Sequence, residues 1–241
     1  MTPKIFVTAL SNIELANVFN PYRDECNIHD SDGAAITRCN NLESYLLSAL
    51  SIEVDTIWMG RDLGYRGGRR TGVALTDEYH LSELRNLFPT ANLIKATHGK
   101  VVAERTAAEI WYALRRVPKP PLFWNVFPFH PHERDSSLTN RRFTAKELTA
   151  VEDLNATLIS WFGIKQIVAI GQDAFKYSKR FGLKLHTVRH PSYGGSSDFR
   201  RGICEFYGLD QIEIQRTILV NSHCNRTTFS LLEDLMGSAI V

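Results

Sequence analysis

Residues 54–59, Val-Asp-Thr-Ile-Trp-Met, run directly into a loop that carries five glycines, four arginines and one acid between Gly60 and Gly72. The run is short, β-branched and apolar, as a strand covered on both faces would be. Beyond the loop, Thr76 offers an N-cap, and Asp77 and Glu78 place acids in the first turn of a helix striped by Leu81, Leu84, Leu87 and Phe88. A strand that empties into a glycine-rich loop ahead of a helix is the opening unit of an open α/β sheet, where ligands bind at the C-terminal strand ends. The arginines Arg61, Arg66, Arg69 and Arg70 fit either a phosphate-bearing partner or a solvated surface turn.

The pattern continues along the chain. Further strands are predicted at residues 122–127, 166–170 and 185–189. A helix from Leu42 precedes the first strand, and one bearing Ala107, Ile110, Trp111 and Leu114 ends at Pro118, Pro120 and Pro121. A polar loop from Pro128 to Phe143 closes on Thr144 to Glu147, a capping box for a helix with Leu148, Val151, Leu154, Leu158 and Trp161 inward. A last crossover helix is expected from Gln172 to Arg180. This alternation implies an α/β fold, a three-layer αβα arrangement around a four-stranded, mainly parallel central sheet. One domain over residues 1–241 is expected, with 1–41 as an N-terminal extension packed on the core and a final helix around Phe229, Leu232 and Leu235.

A formal charge of +2 is too mild to indicate non-specific nucleic-acid binding, although basic residues cluster at 66–70, at Arg141-Arg142 and at Arg200-Arg201. No membrane span or signal pattern is evident, so a cytoplasmic protein is expected. The four cysteines, Cys26, Cys39, Cys204 and Cys224, form no C-x-x-C pair and read as reduced thiols. His130, His132 and Glu133 are separated by Pro131 and lack an obvious fourth ligand, so no metal is assigned.

Three residues distant in sequence, Asp62, Asn125 and His190, fall at or just beyond predicted strand ends and converge on one rim. From Val54 to Ile203 the chain resembles the uracil-DNA glycosylase superfamily. Its first motif, Gly-x-Asp/Asn/Ala-Pro-x, reads Gly60-Arg61-Asp62-Leu63-Gly64 here; its second reads His190-Pro191-Ser192. Asn125 stands where that family carries a base-reading amide. There are departures. Leu63 replaces the motif proline, and Tyr193-Gly194-Gly195 replaces the usual ending of the second motif. Gly64 stands where the uracil-specific branch has a tyrosine that blocks C5 of the pyrimidine, and Leu75 where it has a stacking phenylalanine.

The resemblance implies a monofunctional DNA glycosylase that hydrolyses the N-glycosidic bond of a flipped pyrimidine and leaves an abasic site. Asp62 would orient water and steady the sugar cation, and His190 would donate to the base O2. Gly60, Gly64, Tyr65, Leu75 and Asn125 would line the base pocket, the Asn125 amide fitting uracil one way round and cytosine the other. Arg66, Arg69, Arg70, Arg141 and Arg200, with Ser192 and Tyr193, would contact DNA, Tyr193 as a wedge. A pocket without the tyrosine and phenylalanine admits either uracil or a C5-modified, bulky cytosine of the phage type, unless Tyr65 swings in to close it. The expected partner is DNA, with no membrane, no cofactor and a monomeric state. Two readings stand beside this one: a catalytically silent nucleic-acid-binding protein, and a nucleoside or nucleotide hydrolase. Each motif residue also has a plain alternative, a turn Asp, a core His and an Asn tying one strand to the next.

Overall fold

The computed structural model describes residues 1–209. The chain divides into two compact units, Met1–Arg200 and Arg201–Val241. Of the second, residues 201–209 are described. The helix expected around Phe229, Leu232 and Leu235, and Cys224, lie outside the described residues. The central sheet and the cleft at its edge belong to the first unit.

In chain order the elements are α1 (Pro3–Ser11), β1 (Val18–Phe19), α2 (Ala34–Ser51), β2 (Thr56–Gly60), α3 (Gly68–Thr71), α4 (Leu81–Leu87), α5 (Arg105–Leu114), β3 (Leu122–Asn125), β4 (His130–Pro131), α6 (Ala145–Thr149), α7 (Glu152–Trp161), β5 (Gln166–Ile170), α8 (Gln172–Ser178), a 3₁₀ turn (Lys179–Phe181), β6 (Lys184–Val188) and α9 (Ser196–Tyr207). The central sheet has the order β3-β2-β5-β6 with every pair parallel, and β1 and β4 form a separate antiparallel pair. The fold is a three-layer α/β arrangement, with helices covering a four-stranded parallel sheet. A parallel sheet needs both faces covered, which is why β2 and β3 read as continuous apolar runs and are buried throughout.

The Phe6 ring of α1 lies 5.7 Å from Trp124 and 6.0 Å from Trp161. Tyr45 of α2 accepts the Phe123 N–H at 2.6 Å, tying that helix to β3. Burial of large apolar side chains such as these stabilises by roughly 1.5–3 kcal/mol each. Among the described residues no helix is long and apolar enough to cross a membrane.

Tertiary contacts move several boundaries away from the sequence expectation. The helix expected from Leu42 begins at Ala34, since Asn41 does not break it: its amide bridges Thr71 O, Ile94 O and Ile94 N at 2.8–2.9 Å. The helix expected from Asp77 begins at Leu81, because Asp77 instead takes the His80 N–H, the His80 ring and the Glu104 N–H. The Thr144–Glu147 capping box is present, but the helix it starts ends at Thr149, and a second starts at Glu152.

Candidate active site

The chain moves from β2 to β3 on one side, then returns to lay β5 against the other edge of β2. This reversal is the topological switch point at which open α/β sheets hold ligands. Gly60 is in register with Asn125, and Ile170 with Val188, so the strand ends form one rim. A cleft of about 640 Å³ opens there, lined by Asp62, Asn125 and His190 together. Three residues expected to converge do so.

Asp62 is held by its chain neighbour. Arg61 donates Nε to Asp62 Oδ2 at 2.6 Å and Nη2 to Oδ1 at 3.3 Å, and reaches Asp173 of α8 with Nη1 at 3.4 Å. Burial raises the Asp62 carboxyl above its ordinary range; the Arg61 hydrogen bonds and charge oppose that, and Asp173 adds to it. A buried carboxylate whose guanidinium partner fixes its orientation is placed to accept a proton from water and to face a developing cation.

His190 is oriented by the turn that follows it. The Ser192 N–H donates to Nδ1 at 3.2 Å, and Ser192 Oγ lies 2.8 Å from the same nitrogen. An Nδ1 that accepts a backbone N–H leaves the neutral ring proton on Nε2, which can then donate. Burial, aided by the Arg61 charge, lowers the imidazole below its ordinary range. His190 is thus a neutral donor rather than an imidazolium. Ser192, expected at the DNA, is engaged with His190.

Asn125 is 1% exposed, lines the cleft, and its Oδ1 has no protein partner. A Cβ at Gly60 would collide with that oxygen, so only glycine lets the amide cross the end of β2. Beyond β3 the backbone keeps this alignment: Val126 N–H donates to Gly60 O at 3.0 Å and Phe127 N–H to Arg61 O at 2.9 Å. Unpaired buried amide oxygens are costly, of order 1–3 kcal/mol, and mark a position awaiting a donor. Gly64 and Leu75 also line the cleft. Tyr65 does not: its ring tilts against His130 at 6.5 Å, so it neither lines the pocket nor closes it.

The arginine expectations need correction. Arg69 is 2% exposed, lies over the Phe19 ring at 3.9 Å, and donates to Ser137 O and to His130 Nδ1. Arg70 is 7% exposed and bound to Glu78 and Thr97. Both sit on α3, a single turn formed inside the expected loop, which turns them inward. Arg141 lines the cleft, but its guanidinium is committed to both Glu147 oxygens, His132 O and Asn17 O. Arg200 is paired with both oxygens of Glu109. Of the expected phosphate-contacting arginines, Arg66 alone is exposed. His130, weighed as a metal ligand, hydrogen-bonds Arg69 and Thr139 O, and burial pushes it down to about 3. Among the described residues no group of His, Cys, Asp and Glu is arranged to hold a metal ion, and Cys26, Cys39 and Cys204 take part in no disulfide.

Tyr193 is 98% exposed and has φ +51°, a left-handed conformation costly for a side chain of this size. It stands at the cleft mouth with its ring in solvent. The rim also holds Asp173 and Glu104, not singled out from the sequence, and Arg61 and Arg142, which the sequence marked only as members of basic clusters. Arg61 and Asp173 flank predicted strand ends and were legible by position. Glu104 was not, since nothing in its local sequence shows that α5 delivers it to the glycine loop.

No protein-family model and no curated protein matches the chain. Among solved structures it is similar to the crystal structure of wild-type Pedobacter heparinus SMUG2, at 13% sequence identity and a TM-score of 0.57, over 92% of this chain and 99% of that one. At that identity what the two proteins share is a fold.

Proposed function

We propose that the protein is a monofunctional DNA glycosylase that releases a flipped pyrimidine, uracil or a C5-modified cytosine, and leaves an abasic site. The observation that carries this reading is the meeting of Asp62, Asn125 and His190 in one cleft at the sheet's switch point. The fold shared with SMUG2 and the motif resemblance support it.

In this reading the C1′–N bond breaks with its electron pair going to the base. Charge that gathers on O2 meets the His190 Nε2–H, and the sugar cation meets the Asp62 carboxylate. Water then adds to C1′ and gives a proton to Asp62, which returns it to solvent, while the departing base anion takes a proton from solvent, so that the step balances without metal or organic cofactor. Asn125 reads the Watson–Crick edge of the extruded base, and that edge donates to the Asn125 Oδ1 that has no protein partner. Tyr193 enters the stack vacated by that base.

Hydrolysis of a free nucleoside is a second reading, favoured by the internal engagement of Arg69, Arg70, Arg141 and Arg200, which leaves fewer cations for phosphates. One experiment addresses both. Single-turnover release from modified oligonucleotides, run for the wild type and Asp62→Asn, is expected to show a rate loss in the variant far larger than any loss of DNA affinity. Equal losses would remove Asp62 from the chemistry. Strong inhibition by free nucleosides, with no salt dependence of DNA binding, would favour the metabolite reading.

A further inference from the structure

Glu104 occupies the N-cap position of α5, yet its side chain makes no capping bond to that helix and lines the cleft instead. Its backbone is anchored, since Glu104 N–H donates to Asp77 Oδ2 at 2.6 Å, and Asp77 is in turn bonded to His80. The carboxylate itself makes no hydrogen bond or ion pair among the described residues. It faces the glycine loop at close range. A Cβ at Gly64 would lie 2.8 Å from Glu104 Oε1, and one at Gly67 would collide with Oε2. Two glycines therefore keep open the space into which this acid projects, and Gly64 does not leave an empty wall.

A pyrimidine in the cleft has a limited number of edges. N1 carries the sugar and must face Asp62; O2 lies at His190; the Watson–Crick edge lies at Asn125. The C5 edge remains; of the other ionisable residues that line the cleft, Arg61, Asp173, Arg141 and Arg142 are held in ion pairs, which leaves Glu104, set against Gly64 and Gly67. We infer that Glu104 is a specificity residue, whose carboxylate accepts hydrogen bonds from donor groups carried on C5 and so selects hydroxyl-bearing C5 substituents over a bare or methylated C5. This deepens the glycosylase reading and rests on it. An ionised carboxylate offers a methyl group nothing and repels an anionic substituent, whereas it accepts from hydroxyls with charge-assisted strength. Burial, with Asp77 and Asp62 nearby, pushes Glu104 up to about 7, while Arg66 opposes, so the acceptor is mostly ionised at pH 8.

The test measures single-turnover base release at pH 8 from duplexes bearing uracil, 5-methylcytosine, 5-hydroxymethylcytosine, glucosylated 5-hydroxymethylcytosine or 5-carboxylcytosine. The wild type, Glu104→Gln and Glu104→Ala are compared. The wild type is expected to prefer the hydroxyl-bearing bases over 5-methylcytosine by about 10- to 100-fold, the value of a hydrogen bond to a charged group. Glu104→Ala is expected to lose that preference, read as the ratio of the rates on hydroxyl-bearing and methylated bases, and the near-isosteric Glu104→Gln to fall between. Should the alanine variant fail to fold, the glutamine variant decides. A preference that survives both substitutions overturns the role of Glu104. A wild type that releases uracil but no C5-substituted base also overturns it, and leaves the glycosylase reading standing. A wild type that releases no base from any duplex overturns the glycosylase reading and this proposal with it.

Discussion

Arg61 grips the carboxylate of the next residue in the chain, its Nε 2.6 Å from Asp62 Oδ2, while its Nη1 reaches Asp173 on α8. Adjacent side chains on an extended segment point apart; the turn out of β2 brings these two together. Burial has already raised Asp62, and Arg61 is the main force in the other direction. In the proposed reaction Asp62 is ionised, so rate is expected to be lost as pH falls through its pKa. Arg61→Ala is expected to move the acid limb of the single-turnover pH profile to higher pH, with a larger loss at pH 6 than at pH 8. An acid limb that stays in place would mean that Arg61 does not tune Asp62.

His190→Ala is expected to cost about 10²-fold or more in single-turnover rate, by analogy with the loss of one oxyanion donor. Ser192→Ala removes only the hydroxyl and leaves the Ser192 N–H on Nδ1 to fix the tautomer. Its expected loss is small, less than about tenfold. With His190 held below its ordinary range by burial and the Arg61 charge, the wild-type and Ser192→Ala rates are expected not to depend on His190 protonation above pH 7. A basic limb appearing there would contradict the neutral donor.

Arg70→Ala leaves Glu78 buried without its guanidinium, which is expected to cost about 3–5 kcal/mol in denaturant unfolding. DNA affinity of the folded protein should be unchanged. The double change Arg66→Ala with Arg142→Ala, at two exposed positions, is expected to reduce the slope of log affinity against log salt by about 1–2. An unaltered slope would place both away from phosphates.

Glu104 also carries a stability cost. Its folded-state pKa of about 7 lies above its ordinary 4.5, so the folded state keeps a proton that the unfolded chain has released. The stabilising contribution is complete below pH 4.5 and is lost as pH rises to about 7. Glu104→Gln is therefore expected to be more stable than wild type at pH 8, by on the order of 1–2 kcal/mol, and no more stable near pH 4.5. Unfolding curves at the two pH values test the sign.

Tyr193→Gly relieves a left-handed residue and removes the exposed ring. Stability is expected to hold or rise slightly. Excision from duplex DNA should fall by on the order of tenfold, with a smaller change on single strands, where no stack needs to be opened. Equal effects on the two substrates would leave Tyr193 without a wedging role.

The parallel sheet was legible in the sequence because strands buried on both faces must be apolar throughout, and β5 appears at the very residues that its run marks, Gln166 to Ile170. The strand-end positions of Asp62, Asn125 and His190 followed from that alternation, since ligand sites in such sheets are set by topology. The capping box at Thr144 was legible because its bonds are local. What the arginines do was not. Whether Arg69 and Arg70 face solvent or Phe19, Glu78 and Thr97 depends on partners up to tens of residues away, and the same glycine-rich loop is compatible with either. Glu104 was hidden for the same reason. A lone glutamate before a helix reads as a surface residue, and only the tertiary path from Asp77 to the start of α5 sets it against Gly64 and Gly67. Period and local capping are properties of neighbours in the chain; the direction of a charged side chain is decided by which distant group can offset its desolvation.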